Sequence, residues 1–200
     1  MKSRLLVLAA GLAALAALPA CDSNPVGGTG ADEPTFSASV QGGVQTAYQG
    51  RGYFALFTPT AGTPRPATFT LFSADPRLAS REVQSFTLTR MGAEIPAVGR
   101  YPLGAQGAGA FEAHYHRAAG STGESYTARE GEVEITRSSP ERVEGKFRFL
   151  GVRSCTGKAS QMVCQLSPAS AADASAPTVE VSGTFAAVPS RGITRVPTRP

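Results

Sequence analysis

The sequence is poor in the side chains from which most catalytic and metal sites are built. It has no tryptophan, two histidines and three cysteines among its 200 residues. A hydrolase would have only His114 and His116 as bases near neutral pH, and no Gly-x-Ser-x-Gly motif accompanies them. Glycine motifs for phosphates and dinucleotides are also absent. These absences argue against an enzyme, although paired carboxylates for glycoside chemistry stay open because spatial pairing is invisible in a sequence.

The first twenty-one residues have the pattern of a bacterial lipoprotein export signal. Lys2 and Arg4 form a cationic start, residues 5–17 are apolar or Gly, and Leu18, Pro19 and Ala20 precede Cys21. The apolar run is shorter than the roughly 20 residues that a transmembrane helix needs. An ordinary cleavage site does not need Cys21, whereas lipid transfer requires a thiol there. We therefore predict cleavage after residue 20 and lipidation of Cys21.

Acyl chains on Cys21 would hold the protein at a membrane of the bacterial cell envelope. The sequence leaves open the outer membrane and the periplasmic face of the inner membrane. Both compartments are oxidising, so the two remaining cysteines, Cys155 and Cys164, are predicted to form a disulfide that clips a hairpin or loop. Their spacing does not fit a CxxC redox or metal pair.

The charge of the mature chain is small. Loss of Lys2 and Arg4 lowers the basic count from 19 to 17, against 15 acidic residues, so the net charge falls from +4 to +2. Nucleic acid is therefore not an expected partner. We predict four segments: a cleaved signal at 1–20, a lipid-anchored flexible tether at 21–34, an antiparallel β domain at 35–188 and a disordered basic tail at 189–200.

The β domain is indicated by short alternating runs rich in Val, Phe, Thr and Tyr, separated by turn residues. The predicted strands are 36–41, 53–58, 67–73, 83–90, 99–103, 110–117, a hairpin at 132–150, and 178–188. No window outside the signal has a helical period. The fold class is all-β, a single antiparallel domain that is either a sandwich or barrel-like.

The hairpin at 132–150 has a predictable register. Opposite residues must share a face, and opposite charges facing each other are favourable, so Glu134 should face Lys146 and Glu132 should face Arg148. Its second strand contains Val-x-Gly-x-Phe at 143–147, and the same pattern recurs at 181–185. An inward Gly at such a position leaves room for an aromatic ring from a neighbouring strand, or marks a bend.

These patterns carry a family resemblance. The order of lipobox, Gly/Asp-rich tether, Gly-x-Tyr-x-Leu at 99–103, Glu-Val-Glu-Ile-Thr at 132–136 and the two Val-x-Gly-x-Phe strands is similar to a group of uncharacterised bacterial lipoproteins with antiparallel β folds. The resemblance covers most of residues 36–188. It implies a fold and an envelope location, and it transfers no activity and no site.

The only group of ligand-type residues is Glu112-x-His114-x-His116. Two imidazoles at i and i+2 on a strand are about 6.6–7 Å apart and can share one ion, whereas Glu112 lies about 13 Å from His116 along the strand. A third ligand would have to come from a neighbouring strand. A solvated polar face is the simpler interpretation. We predict no metal or other cofactor, with His114 and His116 as weak metal candidates.

A binding module is the function class that fits best. Sandwiches and barrels present loops or one open face to glycans, peptides or apolar ligands. Five tyrosines could stack on such a ligand, although most tyrosines on such strands are core residues. The lack of tryptophan also weakens a carbohydrate case. We predict a non-catalytic envelope lipoprotein with a glycan or protein partner. A structural lipoprotein without a small ligand stays open and, with less support, so does a metal-binding or hydrolytic domain.

Overall fold

The computed structural model describes residues 33–59, 66–74, 82–104, 109–158, 161–164 and 176–190, with the backbone alone for residues 158 and 161–164. The predicted signal peptide, Cys21, nearly all of the tether and the tail from residue 191 onward lie outside the described residues. Nowhere in the described part of the chain is there a helix with the length and apolarity that crossing a bilayer requires.

The described residues form ten strands. They are β1 Thr35–Gly42, β2 Thr46–Phe57, β3 Thr68–Ala74, β4 Glu82–Met91, β5 Gly99–Leu103, β6 Phe111–Ala119, β7 Thr122–Ser138, β8 Val143–Lys158, β9 Gln161–Cys164 and β10 Thr178–Pro189. Every predicted strand is present. Four stretches that were not predicted as strands extend the sheet: the first half of β2, the first half of β7, the second half of β8, and β9.

The sheet closes into a barrel. Around the ring the order is β1, β2, β3, β4, β6, β7, β8 and β10, and β10 pairs back onto β1. β5 lies between the ends of β6 and β7 as a ninth member, and β9 pairs with β8 outside the ring. Almost every pairing is antiparallel. The predicted all-β antiparallel domain is confirmed, in its barrel-like form, and closure leaves no unpaired edge within the ring.

The two ends of the barrel differ in the segments they carry. At the Thr35 end, β1 begins beside the end of β10, and β7 turns into β8. At the opposite end, which we name the Glu82 end, β4 begins and the β6–β7 turn closes. Residues 33 and 34 therefore lead into the barrel at the Thr35 end.

Aromatic side chains fill the interior. At its centre, the ring of Phe86 has its centroid 4.8 Å from Tyr115, 5.1 Å from Tyr48 and 5.3 Å from Phe36. We name the following inward rings, each at most 4% exposed, the aromatic column: Phe36, Tyr48, Phe86, Tyr115, Tyr126, Phe147, Phe149 and Phe185. Because these rings occupy the barrel axis, the interior is a packed core.

The two Val-x-Gly-x-Phe segments face each other in the barrel. β8 and β10 pair so that Gly183 lies opposite Phe147 and Gly145 lies opposite Phe185. A Cβ on Gly183 would lie 2.6 Å from Phe147 Cζ, and one on Gly145 would lie 2.7 Å from Phe185 Cζ. Each glycine thus makes room for the ring of the other segment. The prediction that these glycines accommodate aromatic rings is confirmed.

The register of the β7–β8 hairpin is also as predicted. Glu134 lies opposite Lys146 and Glu132 opposite Arg148. The register shifts by one residue between Ile135 and Arg137, and the hairpin loop contains residues 139–142. Such bulges increase the local twist of long strands, which closure of a small barrel requires.

Candidate functional site

The tyrosines offer little stacking surface. Tyr48, Tyr115 and Tyr126 are at most 1% exposed and belong to the aromatic column. Tyr53 is half-buried on the outer wall against Phe72, with ring centroids 5.9 Å apart. Three of the five tyrosines are therefore core residues and present no stacking surface.

Charged side chains close the Glu82 end. Arg117 Nε lies 2.7 Å from Glu82 Oε1, and Arg153 NH1 lies 3.5 Å from Glu124 Oε1. Arg117 and Glu124 are opposite each other in the register, so negative and positive charges alternate around this end. Tyr126 donates a hydrogen bond to Glu124 Oε2 at 3.3 Å beneath them. Since these charges pair with one another, the cluster acts as a polar lid on the column.

The buried phenols should make stability depend on alkaline pH. Burial raises the pKa of Tyr115 and of Tyr126 above the ordinary value of 10.0. Above pH 10 the unfolded chain loses these protons while the folded barrel keeps them. The free energy of unfolding is therefore expected to be unaffected by these groups below pH 10 and to fall as pH rises above it.

Urea unfolding at about pH 8 and about pH 11 measures this effect. Between the two pH values, the free energy of unfolding of Tyr115→Phe should fall less than that of the wild type, because this variant lacks one of the buried phenols. Tyr53→Phe, outside the column, is the matched control and should behave like the wild type. If the free energy of unfolding falls equally in the wild type and in Tyr115→Phe, the phenol of Tyr115 does not cause the alkaline loss of stability, and the prediction is contradicted.

A concave surface lies on the outer wall. Outward side chains of β1, β2, β5, β7, β8 and β10 line a groove with a volume of about 730 Å³. A second stretch of about 640 Å³ continues it along the wall, and Ser39, Glu132, Arg148 and Ser182 line both stretches. We name the whole surface the side groove. It exists because alternation sends these residues outward while Phe147 and Phe149 enter the column.

One flank of the side groove is charged. Lys146 Nζ lies 3.2 Å from Glu134 Oε2, and Arg100 bridges Glu134 and Glu132 at 3.6 and 3.9 Å. Arg148 is exposed and stands opposite Glu132 in the register, but among the described residues no ion pair within 4.0 Å joins the two. Arg148 therefore presents a cation to the groove.

The other flank carries hydroxyl groups. Ser37 and Thr184 stand opposite each other, with their oxygens 2.9 Å apart, and Ser39 and Ser182 form the next rung. Each hydroxyl can both donate and accept a hydrogen bond. The groove thus combines short neutral polar groups with a flank of both charge signs, a lining that suits a polar ligand.

Glu132 and Glu134 are neighbouring carboxylates on the outer face of β7, a pair of the kind that glycoside chemistry uses. Both contact the guanidinium of Arg100, and Glu134 also contacts Lys146. The two carboxylates are therefore engaged in ion pairs on this flank of the groove, which explains their placement.

His114 and His116 lie on the outer face of β6, away from the side groove. Their Nδ1 atoms are 3.2 Å from Thr127 Oγ1 and 2.9 Å from Ser125 Oγ, respectively. Desolvation lowers the pKa of His114, and the charge of Glu112 offsets part of that effect. In the described part of the chain, no group of three or more His, Cys, Asp or Glu side chains could hold a metal ion.

Cys155 lies directly opposite Cys164 in the β8–β9 ladder. Cα atoms of opposed residues in an antiparallel ladder are about 4.5–5.5 Å apart, within the range that a disulfide spans. The predicted bond stays a prediction that this register supports. The lipidation site Cys21 lies outside the described residues.

No protein-family model, curated protein or solved structure matches this chain. The candidate site therefore depends on geometry alone. Sequence reasoning missed the side groove because its lining comes from six strands whose adjacency appears only after closure. The outward Ser and Thr residues of β1 and β10 could have indicated the side groove, but only if the pairing of these two strands had been known.

Proposed function

We propose that this chain is an exported, lipid-anchored protein of the bacterial cell envelope whose barrel is a non-catalytic binding module. Its ligand is a polar chain, a glycan or a peptide, that lies in the side groove. The observation that carries the proposal is the groove itself, with hydroxyl groups on one flank and exposed Arg148 on the other.

The packed interior supports an external site. Barrels that carry apolar ligands hold them inside, in a cavity that the strands enclose. Here the axis is occupied by the aromatic column, so an apolar ligand has no room there. The outer groove is polar, which favours a ligand with hydroxyl, amide or charged groups.

A peptide would have to bind through side chains rather than as an added strand. Strand addition needs an unpaired sheet edge, whereas β1, β8 and β10 at the middle of the groove are each paired on both sides. A glycan can use the paired hydroxyls of Ser37 and Thr184 directly. The groove lining therefore favours a glycan somewhat over an extended peptide, even though the chain lacks tryptophan.

The envelope location depends on the lipobox and on the family resemblance. Acyl chains on Cys21 anchor the chain, and the tether leads to β1 at the Thr35 end. A Cys155–Cys164 disulfide fits the same oxidising compartment. Labelling with radioactive palmitate, lost in Cys21→Ser, tests the anchor separately from ligand binding.

A glycan and peptide array probed with residues 32–200, the compact unit of the chain, tests the binding role. We expect a saturable ligand whose affinity falls at least about tenfold, or about 1.4 kcal/mol, in Arg148→Ala. Ser182→Tyr should also weaken it by filling the groove. Arg129→Ala removes an exposed cation outside the groove and is the matched control.

Two results would count against this proposal. If no array component binds saturably, the structural envelope role becomes the better description. If a ligand binds but Arg148→Ala and Ser182→Tyr match Arg129→Ala, binding occurs elsewhere on the barrel.

A further inference from the structure

The outer face of β6 places two imidazoles side by side. His114 is exposed and His116 half-buried, and both point outward because Phe111, Ala113 and Tyr115 point inward. Residues at i and i+2 on a strand are about 6.6–7 Å apart and lie on one face. The pair is therefore accessible from solvent, on a different part of the wall from the side groove.

Hydroxyl groups of β7 hold both rings through the same nitrogen. Thr127 Oγ1 donates to Ser154 Oγ at 3.0 Å, and Ser154 Oγ donates to the carbonyl of Ser125 at 3.2 Å. The proton of Thr127 is thus already used, so in its contact with His114 the Nδ1 atom must be the donor. His114 consequently keeps its lone pair on Nε2.

His116 is oriented in the same way. Its Nδ1 lies 2.9 Å from Ser125 Oγ, the hydroxyl on the residue opposite it in β7. Histidines that bind metals commonly donate one ring N–H to a protein acceptor, which fixes the tautomer and turns the other nitrogen toward the ion. The ring of His114 has that arrangement before any metal binds, and Ser125 Oγ offers the acceptor that His116 needs for it.

The surroundings are compatible with a cation. The residues opposite the histidines on β4 are Thr87 and Ser85, which are uncharged. Glu112 lies on the same outward face of β6 and adds a negative charge beside His114. The outward residues of β4 and β6 beside the pair thus carry no positive charge. On β7, exposed Arg129 lies 3.5 Å from the carboxylate of Glu130.

We propose that His114 and His116 bind one late transition-metal ion, Cu²⁺ most tightly, through their Nε2 atoms, with water completing the coordination. Imidazole suits copper, nickel and zinc, and copper has the highest affinity of the divalent first-row series. Because the protein supplies only two ligands, the metal ion would bind and dissociate reversibly. A structural metal centre would need four protein ligands. The proposal is independent of the side groove.

Titration of the full mature chain with Cu²⁺, followed by electron paramagnetic resonance, tests this inference. We expect one ion per chain with the nitrogen splitting of two imidazoles. His114→Ala and His116→Ala should each remove one nitrogen from the spectrum and weaken binding. Thr127→Val, which keeps both ligands but loses the orienting hydroxyl, should lower the affinity by about tenfold.

Thr89→Val is the matched control, because Thr89 is outward on β4 but stands opposite Glu112 and has its hydroxyl 3.4 Å from that of Thr70. It should bind copper like the wild type. The wild-type spectrum alone can overturn the proposal, since a copper signal without two nitrogen ligands would exclude the pair. Binding that survives in the double His114→Ala and His116→Ala variant would also overturn it.

Discussion

Gly183→Val is expected to lower the free energy of unfolding by about 3 kcal/mol or more. Even a Cβ at this position would lie 2.6 Å from Phe147 Cζ and in contact with the carbonyl oxygen of Ser37. The carbonyl belongs to β1, which is held on both sides by β10 and β2. The ring of Phe147 can move only into the aromatic column, so neither obstacle can yield at low cost.

Ser182→Val is the matched control for this substitution. Ser182 is the neighbouring residue on β10 and points outward, so the same side chain there should change stability by no more than about 0.5 kcal/mol. Urea unfolding compares the two variants. If the Gly183→Val protein is insoluble while the Ser182→Val protein folds, the expected loss of stability is at its most severe. If the two variants have the same free energy of unfolding, the close packing of Gly183 against Phe147 is contradicted.

Phe86→Ala is expected to destabilise the barrel by about 3–5 kcal/mol. Phe86 is 1% exposed, and its ring contacts those of Phe36, Tyr48 and Tyr115 within centroid distances of 4.8–5.3 Å. Removal of the ring loses its buried apolar area and leaves a cavity that rigid neighbouring strands can only partly fill.

Thermal and urea unfolding of Phe86→Ala, with Thr87→Ala as the outward control on the same strand, measure this cost. An apolar cavity of that kind can also take up benzene or xenon. We therefore expect benzene to raise the melting temperature of Phe86→Ala and to leave that of the wild type unchanged. A stability loss no larger than that of Thr87→Ala would show that the barrel centre is not tightly packed.

The strand pattern was predictable because alternation is a local property. Val143, Phe147 and Phe149 alternate with charged residues, so their inward side and the pairing of Glu134 with Lys146 follow from the sequence. The role of Gly145 and Gly183 was predictable for the same reason, since an inward glycine between inward apolar residues must face something large.

The missed parts depend on pairings between distant segments. Residues 122–131 contain Gly123, Glu124, Arg129 and Glu130, so they lack the apolar alternation that marks a half-buried strand. They are nevertheless held in β7 by β6 on one side and β8 on the other. Glu124 points inward and belongs to the polar lid at the Glu82 end. That role is visible only once the barrel is closed.

The side groove could not be predicted for a related reason. Its hydroxyl flank comes from β1 and β10, which are separated by most of the chain, and its charged flank comes from β5, β7 and β8. The pairing of β10 with both β1 and β8 brings the flanks together. The sequence left a sandwich and a barrel open, and the groove could be located only after the fold had been identified as a barrel.

The central claim is that this barrel is filled and acts through its outer wall. Amide chemical-shift mapping of residues 32–200, with the ligand found on the array, tests it most directly. The account predicts saturable shifts along β1, β8 and β10, with Arg148 and Ser182 among the largest. Shifts concentrated on inward residues of the aromatic column would contradict it, because they would place the ligand inside the barrel.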